Sequence, residues 1–172
     1  MQDKLPTRKG LRLKDYDYSS AGCYFITICT KDKKNSLGRV VGCDAHIAPP
    51  YVELSKYGLI VNKHINRINE IYNDFSVDKY VIMPNHIHMI LEKDELLQAQ
   101  GGGAMWASHP TGVSVSSIIR SLKTIVSKEI GHSIWQTSFH DHIIRDQKDY
   151  LRIWQYIDTN PLTWQNDHYH TT

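Results

Sequence analysis

The hydrophobic positions along the chain change period several times, and each period predicts an element. Residues 23–30, Cys-Tyr-Phe-Ile-Thr-Ile-Cys-Thr, are β-branched and aromatic and predict a strand, opened by Gly22 and closed by the polar stretch Lys31–Asn35. Val40 and Val41 suggest a short continuation, and 42–50 reads as a loop. Leu54, Tyr57, Val61, Ile65, Ile68 and Tyr72 then step by threes and fours, which predicts an amphipathic helix over 53–73 despite Gly58. Residues 75–83 and 86–92 predict two strands. Pro84 and Asn85 stand between them, either as a turn or as a bulge in one longer strand. The glycine-rich stretch 95–113 predicts a flexible loop.

After it, Ser114 or Ser116 can cap a helix carrying Val115, Ile118, Ile119, Leu122, Ile125, Val126 and Ile130, with Gly131 as its stop. A strand centred on 138–144 follows. Asp146 can cap a last helix over 147–160, which Pro161 is expected to end. The order predicts an α+β fold. Its core is a ferredoxin-like or RRM-like βαββαβ antiparallel sheet with helices on one face, to which the C-terminal helix is added. The 172 residues suit a single domain spanning 1–172, with 1–20 as an N-terminal arm.

Composition narrows the setting. Hydrophobic residues are 41% and charged residues 22%, which fits a globular chain and argues against wholesale disorder. No apolar run approaches the roughly 20 residues of a membrane span, and the first residues lack the apolar segment of a signal peptide. Three cysteines, Cys23, Cys29 and Cys43, without CxxC spacing fit a reducing compartment. Twenty basic against eighteen acidic residues give a net charge of only +2, but the charge is clustered. Lys4, Arg8, Lys9, Arg12 and Lys14 stand in a run without an acid, and Lys31, Lys33 and Lys34 form a second group. Such clusters attract phosphates, or simply solvate an arm and a turn.

Candidate chemistry begins at Pro84-Asn85-His86-Ile87-His88. On a strand, i and i+2 share a face, so His86 and His88 project together and can bind a divalent metal. Two other H-x-H triplets, at His140/His142 and His168/His170, warn that the spacing alone is weak; the last lies in a polar tail. On the final helix Tyr150, Ile153, Trp154 and Ile157 form the expected core face. Tyr156 and Asn160 are i, i+4 neighbours on its edge. The tyrosine can present its hydroxyl to a groove, Asn160 can reach a metal held by the histidines, and Arg152 can meet a phosphate. The plainer reading makes Tyr156 a boundary aromatic and Asn160 a helix-end residue.

These residues together resemble the REP-associated tyrosine transposases, members of the single-tyrosine HUH (IS200-like) transposases that act on single-stranded DNA. The resemblance rests on Tyr16-Asp17-Tyr18 with Gly22–Thr27, Pro84–His88, Trp135-Gln136 through His142–Asp146, and Tyr156-Ile157-Asp158-Thr159-Asn160-Pro161, from about 15 to 165. It implies that His86 and His88 ligate Mg²⁺ or Mn²⁺, that Asn160 completes the metal site and that Tyr156 is the nucleophile. It implies a 5′-phosphotyrosine intermediate at palindromic, REP-like hairpins, in a prokaryotic cytoplasmic, nucleoid-associated protein that is a monomer or a homodimer. On this reading Arg8, Lys9, Arg12, Lys14, Arg120, Lys123, Arg152 and His142 are candidate DNA contacts. Trp106 can stack on a base. Two other functions compete: a metal hydrolase that activates water, and an RRM-like nucleic-acid-binding module without catalysis.

Overall fold

A computed structural model describes residues 16–42, 49–94 and 113–170. Its strands are β1 (Gly22–Cys29), β2 (Gly38–Val41), β3 (Tyr51–Leu54), β4 (Phe75–Ile82), β5 (His86–Lys93) and β6 (His140–Ile144). Its helices are α1 (Lys56–Asn66), α2 (Ile68–Ile71), α3 (Val115–Ile130) and α4 (Gln147–Thr159). Four strands form one sheet in the order β4-β5-β1-β6, with every neighbouring pair antiparallel. This is the expected βαββαβ sheet, with its first and third strands in the centre. The central strands are apolar on both faces because both faces are covered. Tyr24, Ile26, Ile28, Ile87, Met89 and Leu91 meet Val61, Ile65, Ile118, Ile119 and Leu122 in the larger core. On the opposite face Ile90 meets Ile153 and Ile157 of α4 in a smaller one.

Local signals explain most boundaries. Ser114 caps α3 in a reciprocal capping box with Ser117, and Gly131 ends the helix at φ 92°. Asp146 caps α4 by accepting from the Asp149 N–H at 2.8 Å. Pro84 and Asn85 form the β4–β5 connection, so the two strands pair as a hairpin rather than as one bulged strand.

Three expectations are corrected. The helix anticipated over 53–73 is shorter: 51–54 instead pairs with β2 as a two-stranded sheet, Ser55 caps α1, and the helix is interrupted at Arg67. Leu54 still packs on the core from that strand, so it fitted the helical period without being helical. Pro161 does not end the helical path. Asn160 is αR (φ −56°, ψ −41°), and the chain tightens into a 3₁₀ helix over Asn160–Asn166 with proline in its first turn. Trp154, expected in the core, is 38% exposed. It lies over the edge strand β4, where the Lys79 ammonium sits 3.7 Å from its ring centroid, so the indole is covered by a cation instead of the sheet.

Gly58 has a steric reason. A Cβ there would lie 2.0 Å from the Leu37 carbonyl oxygen, and that carbonyl accepts from the Ser55 N–H at 2.9 Å. Gly58→Ala is expected to push α1 off the 31–37 loop and destabilise the protein by about 2–3 kcal/mol in a urea titration. A change below about 0.5 kcal/mol would refute the close approach.

Candidate active site

The β5 register places the two histidines. His86 lies opposite Cys29 and His88 opposite Thr27, on the sheet face that α4 covers. Their rings lie 4.5 Å apart between centroids, and both are buried. Asn85, also buried, fixes the first ring. Its amide nitrogen donates to the carbonyls of Tyr169 (2.8 Å) and Lys33 (3.2 Å), which turns its Oδ1 toward His86 Nδ1 at 2.9 Å. Nδ1 must then carry the proton, and Nε2 keeps its lone pair. His88 is held between two hydroxyls. Its Nδ1 is 2.8 Å from that of Thr27 and its Nε2 is 3.2 Å from that of Tyr156.

Burial sets the charge state. It pushes His86 down to about 4, against the opposing pull of Asp167 and Asn160, and pushes His88 well below its ordinary range, with His86 adding to the fall. Both imidazoles are therefore neutral at pH 7. Burial and Asp167 raise the Tyr156 phenol, and Asn160 lowers it. A phenolate at Tyr156 thus needs a positive charge nearby.

Asn160 is buried at the end of α4, beside both His86 and Tyr156. Its Nδ2 donates to Asp167 Oδ2 at 3.1 Å, which fixes the amide orientation. Asn160 Oδ1 and His86 Nε2 are both buried without a hydrogen-bond partner among the described residues. An acceptor oxygen and an acceptor nitrogen left together in this way suit a cation. The donor atoms of His86, His88 and Asp167 lie within 4.8 Å of one another. A divalent metal therefore fits these residues, and the residue missed at the level of sequence is Asp167. Its only signal was the polar run Asn166–His170, set aside as a tail. Tyr169 was missed as well: its ring centroid is 4.6 Å from that of His86, and burial pushes its phenol up to about 12.

The structure thus brings the pair His86 and His88 together with the pair Tyr156 and Asn160, some 70 residues further along the chain. It treats the proposed DNA contacts differently. Lys123 is engaged within the fold: its ammonium donates to the carbonyls of Gln136 (2.9 Å) and Ser138 (2.7 Å), and burial pulls it down to about 8. His142 and Arg152 both bind Asp149, each at 2.6 Å, which leaves neither beside the Tyr156 hydroxyl as its hydrogen-bond partner. The guanidinium of Arg152 remains largely exposed. Arg120 is exposed on α3. Arg8, Lys9, Arg12, Lys14, Trp106 and all but the last residue of the 95–113 loop lie outside the described residues. His140 is exposed, and His170 packs against Trp164.

The neutral histidines carry a pH prediction. With metal chelated, the unfolded chain takes up protons near pH 6.5, while folded His86 resists until about pH 4. The unfolded state therefore binds more protons in that window, and stability falls as the pH drops through it, by up to about 3 kcal/mol from His86. Urea midpoints in EDTA should decline between pH 7 and 4, and His86→Ala should flatten the decline. An unchanged slope in that variant would show that the imidazole is not buried neutral.

With the geometry established, the chain can be set beside known proteins. No family model matches it. In fold it is similar to a REP-associated tyrosine transposase solved bound to a REP hairpin. The TM-score is 0.59 at 23% identity, covering 88% of this chain and 74% of that one. The two chains share the α+β fold with its four-stranded antiparallel sheet. In sequence the chain is 35% identical, over a 172-residue alignment, to an uncharacterized protein of Haemophilus influenzae (strain ATCC 51907 / DSM 11121 / KW20 / Rd). The match covers 93% of this chain and 91% of that relative, and the chain belongs to the same family. No helix among the described residues is long and apolar enough to cross a membrane.

Proposed function

We propose that the protein is a metal-dependent single-stranded DNA endonuclease and strand transferase that uses Tyr156 as its nucleophile. One observation carries this reading: the Tyr156 hydroxyl lies 3.2 Å from Nε2 of His88, beside a second neutral imidazole whose Nε2 has no hydrogen-bond partner among the described residues. A tyrosine that only packed at a helix edge would not need its oxygen aimed at a pair of metal-competent nitrogens. The transposase fold and the hairpin held by the structural relative support a hairpin-forming DNA as substrate.

His86, His88 and Asn160 would hold Mg²⁺ or Mn²⁺, which when bound supplies a Lewis acid for the scissile phosphate. The chain's own residues do the rest. Asn85 and Thr27 fix the imidazole orientations. His88 Nε2, 3.2 Å from the Tyr156 hydroxyl, is the atom that would hold the metal, so the same ring positions the phenol beside the site. Tyr156 Oη then attacks phosphorus and loses its proton. The bond to the 3′ oxygen breaks, leaving a 3′-hydroxyl and a 5′-phosphotyrosine. That ester keeps the phosphodiester energy, so a later 3′-hydroxyl can reseal the strand and regenerate the phenol.

The test is a denaturing gel. The full chain is incubated with Mn²⁺ and labelled single-stranded DNA carrying palindromic hairpins from the flanks of its own gene. A metal-dependent band of protein joined to DNA is expected. Cleavage without that band would favour metal-activated water, and binding without cleavage would favour a non-catalytic module.

A further inference from the structure

We propose that Asp167 is a ligand of the same metal, and that its bond to the ion fastens residues 167–170 over the site. This rests on the metal reading above. It adds an anionic donor, and a mechanical consequence, that the two histidines and Asn160 do not provide.

The carboxylate is built into place from both sides. Its Oδ2 accepts from Asn160 Nδ2 at 3.1 Å, and its Oδ1 accepts from the Tyr169 N–H at 2.6 Å. Its own N–H donates to the Trp164 carbonyl at 3.1 Å, so the end of the 3₁₀ helix sets the backbone. From there it comes within 4.8 Å of donor nitrogens on both histidines. Each carboxylate oxygen has further lone pairs after these bonds. Two imidazoles and an amide are neutral donors, and Asp167 supplies the negative charge that a buried dication needs. Two histidines with one carboxylate also form a donor set known for first-row divalent metals.

The segment that follows is already laid across the histidines. Tyr169 stands against His86 at 4.6 Å, and its carbonyl accepts from Asn85 Nδ2. The His168 carbonyl accepts from Lys33 Nζ at 3.3 Å. A ligand bond at Asp167 would therefore hold one end of a segment whose other contacts are single hydrogen bonds and ring contacts. Metal and segment should order each other, because each gives the other a fixed partner.

The test uses the full chain with Mn²⁺ alone as the probe. Isothermal titration is run on the parent, Asp167→Asn and His86→Ala, and amide exchange of 167–170 is followed with and without the ion. Asp167→Asn removes the charge and keeps one acceptor oxygen, which can serve the Tyr169 N–H, while the bond from Asn160 Nδ2 is lost; the EDTA midpoint reads that structural cost separately from the metal affinity. The expected result is a loss of Mn²⁺ affinity of about tenfold or more in Asp167→Asn. The thermal midpoint in EDTA should fall by no more than the loss of that one hydrogen bond accounts for, and amide protection at 167–170 should rise with Mn²⁺ in the parent only. Affinity within about twofold of the parent in Asp167→Asn, with binding lost in His86→Ala, would overturn the proposal and leave the metal reading standing. Binding unaffected by His86→Ala would sink the metal reading itself. Absence of Mn²⁺-dependent protection at 167–170 in the parent would overturn the proposal even if the Asn variant did not fold.

Discussion

Tyr156→Phe is expected to abolish the covalent protein–DNA adduct and to reduce strand cleavage by at least about a thousandfold, or about 4 kcal/mol of transition-state stabilisation. The substitution removes one oxygen and keeps the ring. The ring contacts to Phe25 and His88, with centroids at 6.1 and 5.1 Å, are retained. The stability change should therefore be near that of one hydrogen bond, about 1 kcal/mol. Hairpin binding should persist, because the phenol sits at the chemistry rather than among basic side chains. A gel, a binding titration and a urea curve on the same preparation separate the three effects. Cleavage at more than about a tenth of the parent rate would remove Tyr156 as nucleophile and move the reaction to activated water.

Asn85→Ala should produce the second large effect, through a residue that need not touch substrate. The side chain makes three hydrogen bonds from a buried position, to His86, to Lys33 and to Tyr169. Its removal leaves His86 free to place its proton on either nitrogen, and the Nε2 tautomer cannot bind a metal through that atom. Metal affinity should fall by about 10–100-fold, as it does when comparable supporting hydrogen bonds are lost. Stability should fall by about 2–3 kcal/mol, because the partners left behind are largely shielded from water. Asn85→Asp separates the two roles. It keeps the acceptor toward His86 Nδ1 and removes the donors toward the carbonyls of Lys33 and Tyr169. Metal affinity should be largely retained in that variant, while the 167–170 segment exchanges its amides faster. Equal loss of metal affinity in the Ala and Asp variants would show that Asn85 acts only through general packing.

The parts of the fold that were legible in the sequence were those governed by local periodicity and capping. The apolar, β-rich runs at 23–30 and 86–92, the Ser114 and Asp146 caps and the Gly131 stop need only neighbours within a few residues, and each lies where those signals put it. The errors arose where a distant partner decided the outcome. Residues 51–54 became a strand because 38–41 stood ready to pair with them. Trp154 left the core because Lys79 occupies the edge of β4 beneath α4. Lys123, a candidate DNA contact, is a separate case: the sequence did not show that its ammonium serves the carbonyls of the loop before β6.

The site divides in the same way. That His86 and His88 share a face follows from the two-residue period of a strand, and that Tyr156 and Asn160 are neighbours follows from the helical turn. The sequence by itself therefore determined each pair, along with the βαββαβ order that carries them. It could not determine that the pairs meet. That required β5 to lie beside β1 at the centre of the sheet and α4 to pack its Ile153 and Ile157 against Ile90, which brings the Tyr156 oxygen to His88. Nor could it show that the chain, having passed Pro161 without leaving its helical path, returns Asp167 and Tyr169 to the histidines. Tertiary structure alone decided the burial that keeps both imidazoles neutral, because desolvation depends on everything packed around a group and not on its neighbours along the chain.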